Sequence, residues 1–113
     1  MIEYWHNPRC SKSRAGLALL EENGAKIKLR KYLEDVPSAD EVRAAHVSLG
    51  LPVIDMVRTG EKRFKELGLT KTASDDDLIR AMAENAILIE RPLAIAGDKA
   101  AIGRPPENLL TLL

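Results

Sequence analysis

"IEYWHNPRCSKSRAGLALLEENGAKIKLRKY", residues 2–32, changes period twice, and those changes decide how the chain is read. Ile2 to Trp5 reads as a short strand. A helix is expected from about Ser11 to Glu22, because Asn23-Gly24 supplies the C-terminal stop that a left-handed glycine provides at low steric cost. From Lys26 to Tyr32 apolar Ile27 and Leu29 alternate with basic Lys26, Lys28 and Arg30, the period of a half-exposed strand. Strand, helix and strand in this order make a βαβ unit. Its connection before the helix, His6 to Cys10, contains the only cysteine of the chain. Cys10 follows Asn7, Pro8 and Arg9 and precedes Ser11, Lys12, Ser13 and Arg14. These are polar and cationic neighbours, unlike the apolar run that surrounds a cysteine used for packing.

Working outward, the middle of the chain is helical. Ser38-Ala39-Asp40-Glu41 is a capping box that opens a helix carrying Val42, Ala45, His46 and Leu49 and closing at Gly50. Pro52 suits the first turn of a short helix through Val57, and Phe64 and Leu67 mark another before Gly68. A second capping box, Ser74 to Asp77, starts a helix with Leu78, Ile79 and Met82. Strand pattern then returns at Leu93–Ala96 and Ala100–Ile102 around a Gly97-Asp98-Lys99 turn. Pro105-Pro106 opens a final helix whose Leu109, Leu110 and Leu113 are expected to close over the sheet. The element order is β-α-β, helices, β-β-α. This predicts one α/β domain spanning 1–113 with a helical insertion at about 38–85.

Composition bounds the function. Lys and Arg balance Asp and Glu at a formal net charge of zero, so the uniform positive field of a general nucleic-acid binder is missing. The signs are unevenly spread: residues 1–31 hold seven bases against three acids, and residues 32–90 hold seven bases against twelve acids. An anion site is therefore expected near the N-terminus. No stretch has the form of a signal peptide or a membrane span, and a cytoplasmic location without membrane partners is the expectation. One cysteine can form neither an internal disulfide nor a cysteine-based zinc cage. His46 has no visible co-ligand, and no metal is assigned.

Four separated stretches, "YWHNPRCSKSR", "VRTGEKRFKELGL", "ILIERPLAI" and "IGRPPENLL", resemble the glutaredoxin-coupled arsenate reductase (ArsC-like) family of the thioredoxin-like superfamily, in that family's order and over nearly the whole chain. The resemblance implies a thioredoxin/glutaredoxin-like mixed sheet with helices inserted between its βαβ and ββα halves. It also implies a nucleophilic cysteine at Cys10, a basic histidine at His6, oxyanion-binding arginines at Arg58, Arg91 and Arg104, and a cis-proline at Pro92. No bound cofactor is implied. Glutathione is the implied co-substrate, with glutaredoxin as protein partner and arsenate or a related oxyanion as substrate.

The residue chemistry suits those roles. A free thiol is mostly protonated at neutral pH, with a pKa of about 8.5, and a helix N-terminus with nearby cations favours the thiolate. Exposed amides at the same helix start can also bind an oxyanion. Protonated His6 would favour the thiolate further. Arginine makes bidentate, charge-assisted bonds to tetrahedral oxyanions and remains charged throughout. Arg91 and Arg104 each precede a proline, which holds their backbone extended.

Cys10-Ser11-Lys12-Ser13 places Ser13 where a dithiol enzyme has its resolving cysteine, so release of an adduct needs an external thiol. A phosphatase-type loop is excluded, because Gly16 stands six positions after the cysteine where that loop needs arginine, and Arg14 is at the wrong spacing. Ser13 and Arg14 are left as supporting residues. Two alternatives share the fold: a general glutathione-dependent thiol oxidoreductase without arsenate activity, and an Spx-like regulator that binds RNA polymerase. Ser13 in place of the second cysteine argues against the redox switch of the latter.

Overall fold

The computed structural model describes residues 1–113. Its chain divides into two compact units, one formed by residues 1–35 with 91–113, the other by residues 36–90. The expected insertion at about 38–85 thus lies within the second unit, which is a few residues longer at each end.

The first unit contains strands β1 (Ile2–Trp5), β2 (Ile27–Arg30), β3 (Leu93–Ala96) and β4 (Lys99–Ile102) in the spatial order β2-β1-β3-β4. β1 runs parallel to β2, with Ile2 opposite Ile27, and antiparallel to β3, with Tyr4 opposite Ala94; β3 and β4 form the expected hairpin. Gly97 turns that hairpin at φ 62°. Helix α1 (Ser11–Glu22) makes the crossover that a parallel pair requires. The result is the thioredoxin/glutaredoxin-like mixed sheet read from the sequence.

Alternation along β1 sends Ile2 and Tyr4 into a core with Leu20 of α1, Ala94, Ala101 and Leu109. Trp5 is also buried; Arg30 lies 5.9 Å from its ring centroid and the indole N–H donates to Glu3. The C-terminal segment differs from the expected helix. Pro106–Leu112 is a 3₁₀ helix after Pro105, Leu109 alone is fully buried, Leu110 is half-buried and Leu113 is exposed. Tighter winding stacks side chains at i and i+3 rather than spreading them over a broad face, so Leu109 and Leu112 meet the core instead of the expected triplet.

The second unit is built on α2 (Ala39–Leu49), α3 (Lys62–Glu66) and α4 (Asp75–Glu84), with 3₁₀ turns at Val53–Met56 and Ala86–Leu88. The capping box of α2 forms in both directions: the Ser38 hydroxyl accepts from the Glu41 amide and the Glu41 carboxylate accepts from the Ser38 amide, both at 3.1 Å. At α4 only the serine half forms, with Ser74 Oγ accepting from the Asp77 amide at 3.2 Å. Aspartate is one methylene shorter than glutamate, and the Asp77 carboxylate instead pairs with Arg80. Val42 and Ala45 of α2 and Leu78, Ile79 and Met82 of α4 are buried. A single bridge pairs Val57, in the interior of the unit's sequence, with Ile89 near its end. No helix is long and apolar enough to cross a membrane.

Candidate active site

The site grows from the junction of β1 and α1. Cys10 is the N-cap of α1: its backbone is extended, its carbonyl accepts the first helical bond from Arg14, and its amide donates to Asn7 O at 3.0 Å. The Asn7 side chain in turn accepts from the Arg9 amide, and Arg14 donates from Nη1 to Pro8 O at 2.8 Å. Arg14 therefore clamps the loop to the first turn of the helix.

Cys10 is 9% exposed, and Arg91 Nε donates to its Sγ at 3.0 Å. Burial is the largest influence on the thiol and pushes its pKa up. It is outweighed by the Ser13 amide, the Arg91 hydrogen bond, the Lys12 amide and the Arg91 charge, which together bring the thiol below its ordinary range. Removing the guanidinium in Arg91→Gln is expected to move the pH midpoint of Cys10 alkylation upward, measured by iodoacetamide labelling across pH. An unchanged midpoint would mean that the helix amides alone set the thiolate.

Ser13 is fully buried and acts as a hub. Its hydroxyl lies 2.7 Å from His6 Nδ1 and accepts from the Asn7 amide at 3.0 Å, while its carbonyl accepts from the Tyr4 hydroxyl at 2.6 Å. Burial pushes the Tyr4 phenol far up, so it stays a donor. The position that holds a second sulfur in dithiol relatives here ties β1, the loop and α1 together.

His6 departs from the expected cationic role. It is 6% exposed, and burial lowers its pKa, helped by repulsion from Lys31 and Arg14 and opposed by Glu21. The imidazole is therefore held toward neutrality, and its Nδ1 faces the Ser13 hydroxyl, so it orients the loop rather than supplying charge to the sulfur. The Ser13 hydroxyl thus joins the His6 ring to the Asn7 amide.

The second half of the first unit supplies the arginine. Arg91-Pro92 is a cis peptide, as is Arg104-Pro105. The Gly103 amide donates to Pro92 O at 2.9 Å, and Arg104 Nε donates to Arg91 O at 2.8 Å. Arg104, one of the expected oxyanion arginines, is thereby tied through its Nε to the backbone of Arg91. Gly16 and Gly103 let the chain approach closely here, since an added Cβ would lie 3.1 Å and 2.8 Å from Pro92 Cγ, respectively. Sequence reasoning had used Gly16 only to exclude a phosphatase loop and had given Tyr4, Asn7 and Gly103 no role at the site. A glycine inside a helix and a tyrosine two residues before the loop were the available signals.

Arg58, the third expected arginine, belongs to the 36–90 unit. There its Nη1 lies 3.2 Å from Glu61 and its Nε 3.8 Å from Glu90, so its charge is already balanced by carboxylates. Its amide donates to Leu88 O at 2.8 Å. No group of three or more histidine, cysteine, aspartate or glutamate side chains is arranged to hold a metal ion.

The ArsC family model matches residues 5–112 of the chain. The chain belongs to the ArsC family. Among its ArsC relatives is a protein of Neisseria meningitidis serogroup A named arsenate reductase, 46% identical over 99% of this chain and 97% of that protein. A second arsenate reductase, from Escherichia coli, is 34% identical over 99% of this chain and 80% of its own length. In three dimensions the chain is similar to the arsenate reductase from Vibrio cholerae, with a TM-score of 0.94, 46% identity and coverage of 99% of this chain and 97% of that one.

Proposed function

We propose that this ArsC protein reduces arsenate to arsenite through a Cys10 adduct resolved by glutathione and glutaredoxin. The observation that carries the reading is the 3.0 Å bond from Arg91 Nε to Cys10 Sγ at the N-terminus of α1. It joins an activated sulfur and an oxyanion-binding group in one place.

The Cys10 thiolate attacks arsenate, an S–As bond forms, and an oxygen leaves as water after protonation. Arg91 and the amides of the first turn stabilise charge on the remaining oxygens. Arg104 holds Arg91 in place, and Arg58 keeps an oxyanion role on the strength of its motif. A glutathione thiolate then attacks the Cys10 sulfur; the S–As electron pair passes to arsenic, which leaves as arsenite at oxidation state three. The resulting Cys10–glutathione disulfide is opened by a glutaredoxin thiolate attacking the glutathione sulfur, and the Cys10 thiolate is restored. Two thiols supply the two electrons. Ser13 supports the external route, because a hydroxyl committed to His6 and Asn7 offers no second sulfur.

The test is arsenite formation by the purified protein with arsenate, glutathione and glutaredoxin. Product should require all three, and omission of glutaredoxin should leave Cys10 glutathionylated in the mass spectrum. Reduction of glutathionylated peptides without any arsenite would replace this reading with that of a general thiol oxidoreductase.

A further inference from the structure

Residue 4 faces the core from β1, where strand alternation asks only for an apolar side chain. Tyrosine brings in addition an O–H that must find an acceptor once buried. That acceptor lies outside the sheet. It is the Ser13 carbonyl in the first turn of α1, 2.6 Å away, and the Leu17 amide acts on the same phenol oxygen. The hydroxyl meets the flank of the helix at Gly16, where an added Cβ would lie 2.6 Å from it. A hydroxyl on residue 4 and the missing side chain of residue 16 are thus two halves of one contact.

Ser13 carries this contact to the sulfur. As the third residue of a helix capped by Cys10, it turns its amide back toward the cap side chain. That amide is the foremost of the groups favouring the thiolate, ahead of Arg91 and the Lys12 amide. An N–H donor weakens steeply as it turns away from its acceptor, so whatever fixes the Ser13 backbone also governs the thiolate. Two tethers run from the Ser13 hydroxyl to His6 and Asn7, which lie in the loop that carries Cys10 and would move with it. The tether from its carbonyl is anchored elsewhere: Tyr4 is fully buried on an interior strand, opposite Leu29 on one side and Ala94 on the other. We propose that Tyr4 is a positioning residue for Cys10, whose hydroxyl, held in the frame of the sheet, keeps the first turn of α1 in the orientation that brings the Ser13 amide to the sulfur. The assignment rests on Cys10 being the reacting thiolate of the proposed reaction, and it gives part of that reactivity to a phenol outside the cysteine loop.

Tyr4→Phe removes the hydroxyl and keeps the ring in the core. The pH midpoint of Cys10 alkylation by iodoacetamide is expected to rise by about half a pH unit, as a hydrogen bond to the charged form weakens, so that alkylation below the midpoint slows about threefold. Ile2→Val, in the same strand and core cluster, loosens packing without touching the hydroxyl; it is expected to lower the urea midpoint and leave the alkylation midpoint where it was. A Tyr4→Phe midpoint equal to the parent's, or an equal rise in Ile2→Val, overturns the assignment. Should Tyr4→Phe not fold, fluorotyrosine incorporated into the intact chain gives an independent reading. Its fluorine resonance at Tyr4, told from that of Tyr32 by Tyr32→Phe, should titrate at the alkylation midpoint and lose that step in Cys10→Ser. A resonance indifferent to the ionisation of Cys10 overturns the assignment as well. No arsenate enters either measurement, so failure here is distinguishable from failure to form arsenite.

Discussion

Cys10→Ser is expected to abolish arsenite formation, by about 10⁴-fold or more, the scale seen when a sole nucleophile is removed. The substitution leaves the helix start and the Arg91 guanidinium in place and removes only the ionisable sulfur. A hydroxyl is a far weaker acid than a thiol, so donors that suffice to hold a thiolate beside Arg91 leave serine protonated. Oxyanion affinity should therefore outlast turnover. Equilibrium binding of arsenate by the variant, set beside its arsenite production with glutathione and glutaredoxin, separates the two. Turnover at the unsubstituted rate would remove the sulfur from the mechanism, and the proposed adduct with it.

Gly16→Ala is expected to destabilise the protein by about 2–3 kcal/mol, although alanine is the better helix former by about 1 kcal/mol. The added Cβ would lie 2.6 Å from the Tyr4 hydroxyl oxygen, 2.8 Å from Leu109 Cδ1 and 3.1 Å from Pro92 Cγ. None of these can yield easily. Tyr4 and Leu109 are fully buried, and the Tyr4 hydroxyl is anchored to Ser13 O at 2.6 Å. Displacing it leaves a buried donor or acceptor unpaired, at about 1–3 kcal/mol, and adds to the overpacking. Urea denaturation should show a lowered midpoint with little change in slope. A variant as stable as the parent would mean that α1 can retreat from the sheet at no cost. The same substitution is expected to slow Cys10 chemistry, since Gly16 and Gly103 are what allow Pro92, and with it Arg91, to approach the helix start.

Much of the fold was legible because its signals are local. Ser38 and Glu41 lie within one turn of each other and cap α2 by contacts that require nothing distant. Asn23-Gly24 and Gly50 end their helices through backbone geometry at those residues alone, and the alternation of Ile27 and Leu29 needs only the pleat of a strand. The C-terminal segment was less legible. Pro105-Pro106 marks a helix start without specifying its winding, and packing of Leu109 into the core selects the 3₁₀ form over the expected helix. At Ser74 the serine and a carboxylate were both present, but the shorter aspartate turned to Arg80 instead.

The order of elements, the lone sulfur at a helix N-terminus and the absence of an internal resolving thiol follow from residue identities and spacing, because each depends on interactions within a few positions of chain. The partners of that sulfur do not. Arg91 stands 81 positions from Cys10 and reaches it through sheet pairing, the close approach allowed by Gly16 and Gly103, and the hold of Arg104 on its carbonyl. A basic histidine at His6 is what the family resemblance implies; burial, Lys31 and Arg14 lower its pKa. Long-range contacts and desolvation are properties of the assembled chain, and they decided which charged groups serve the thiol.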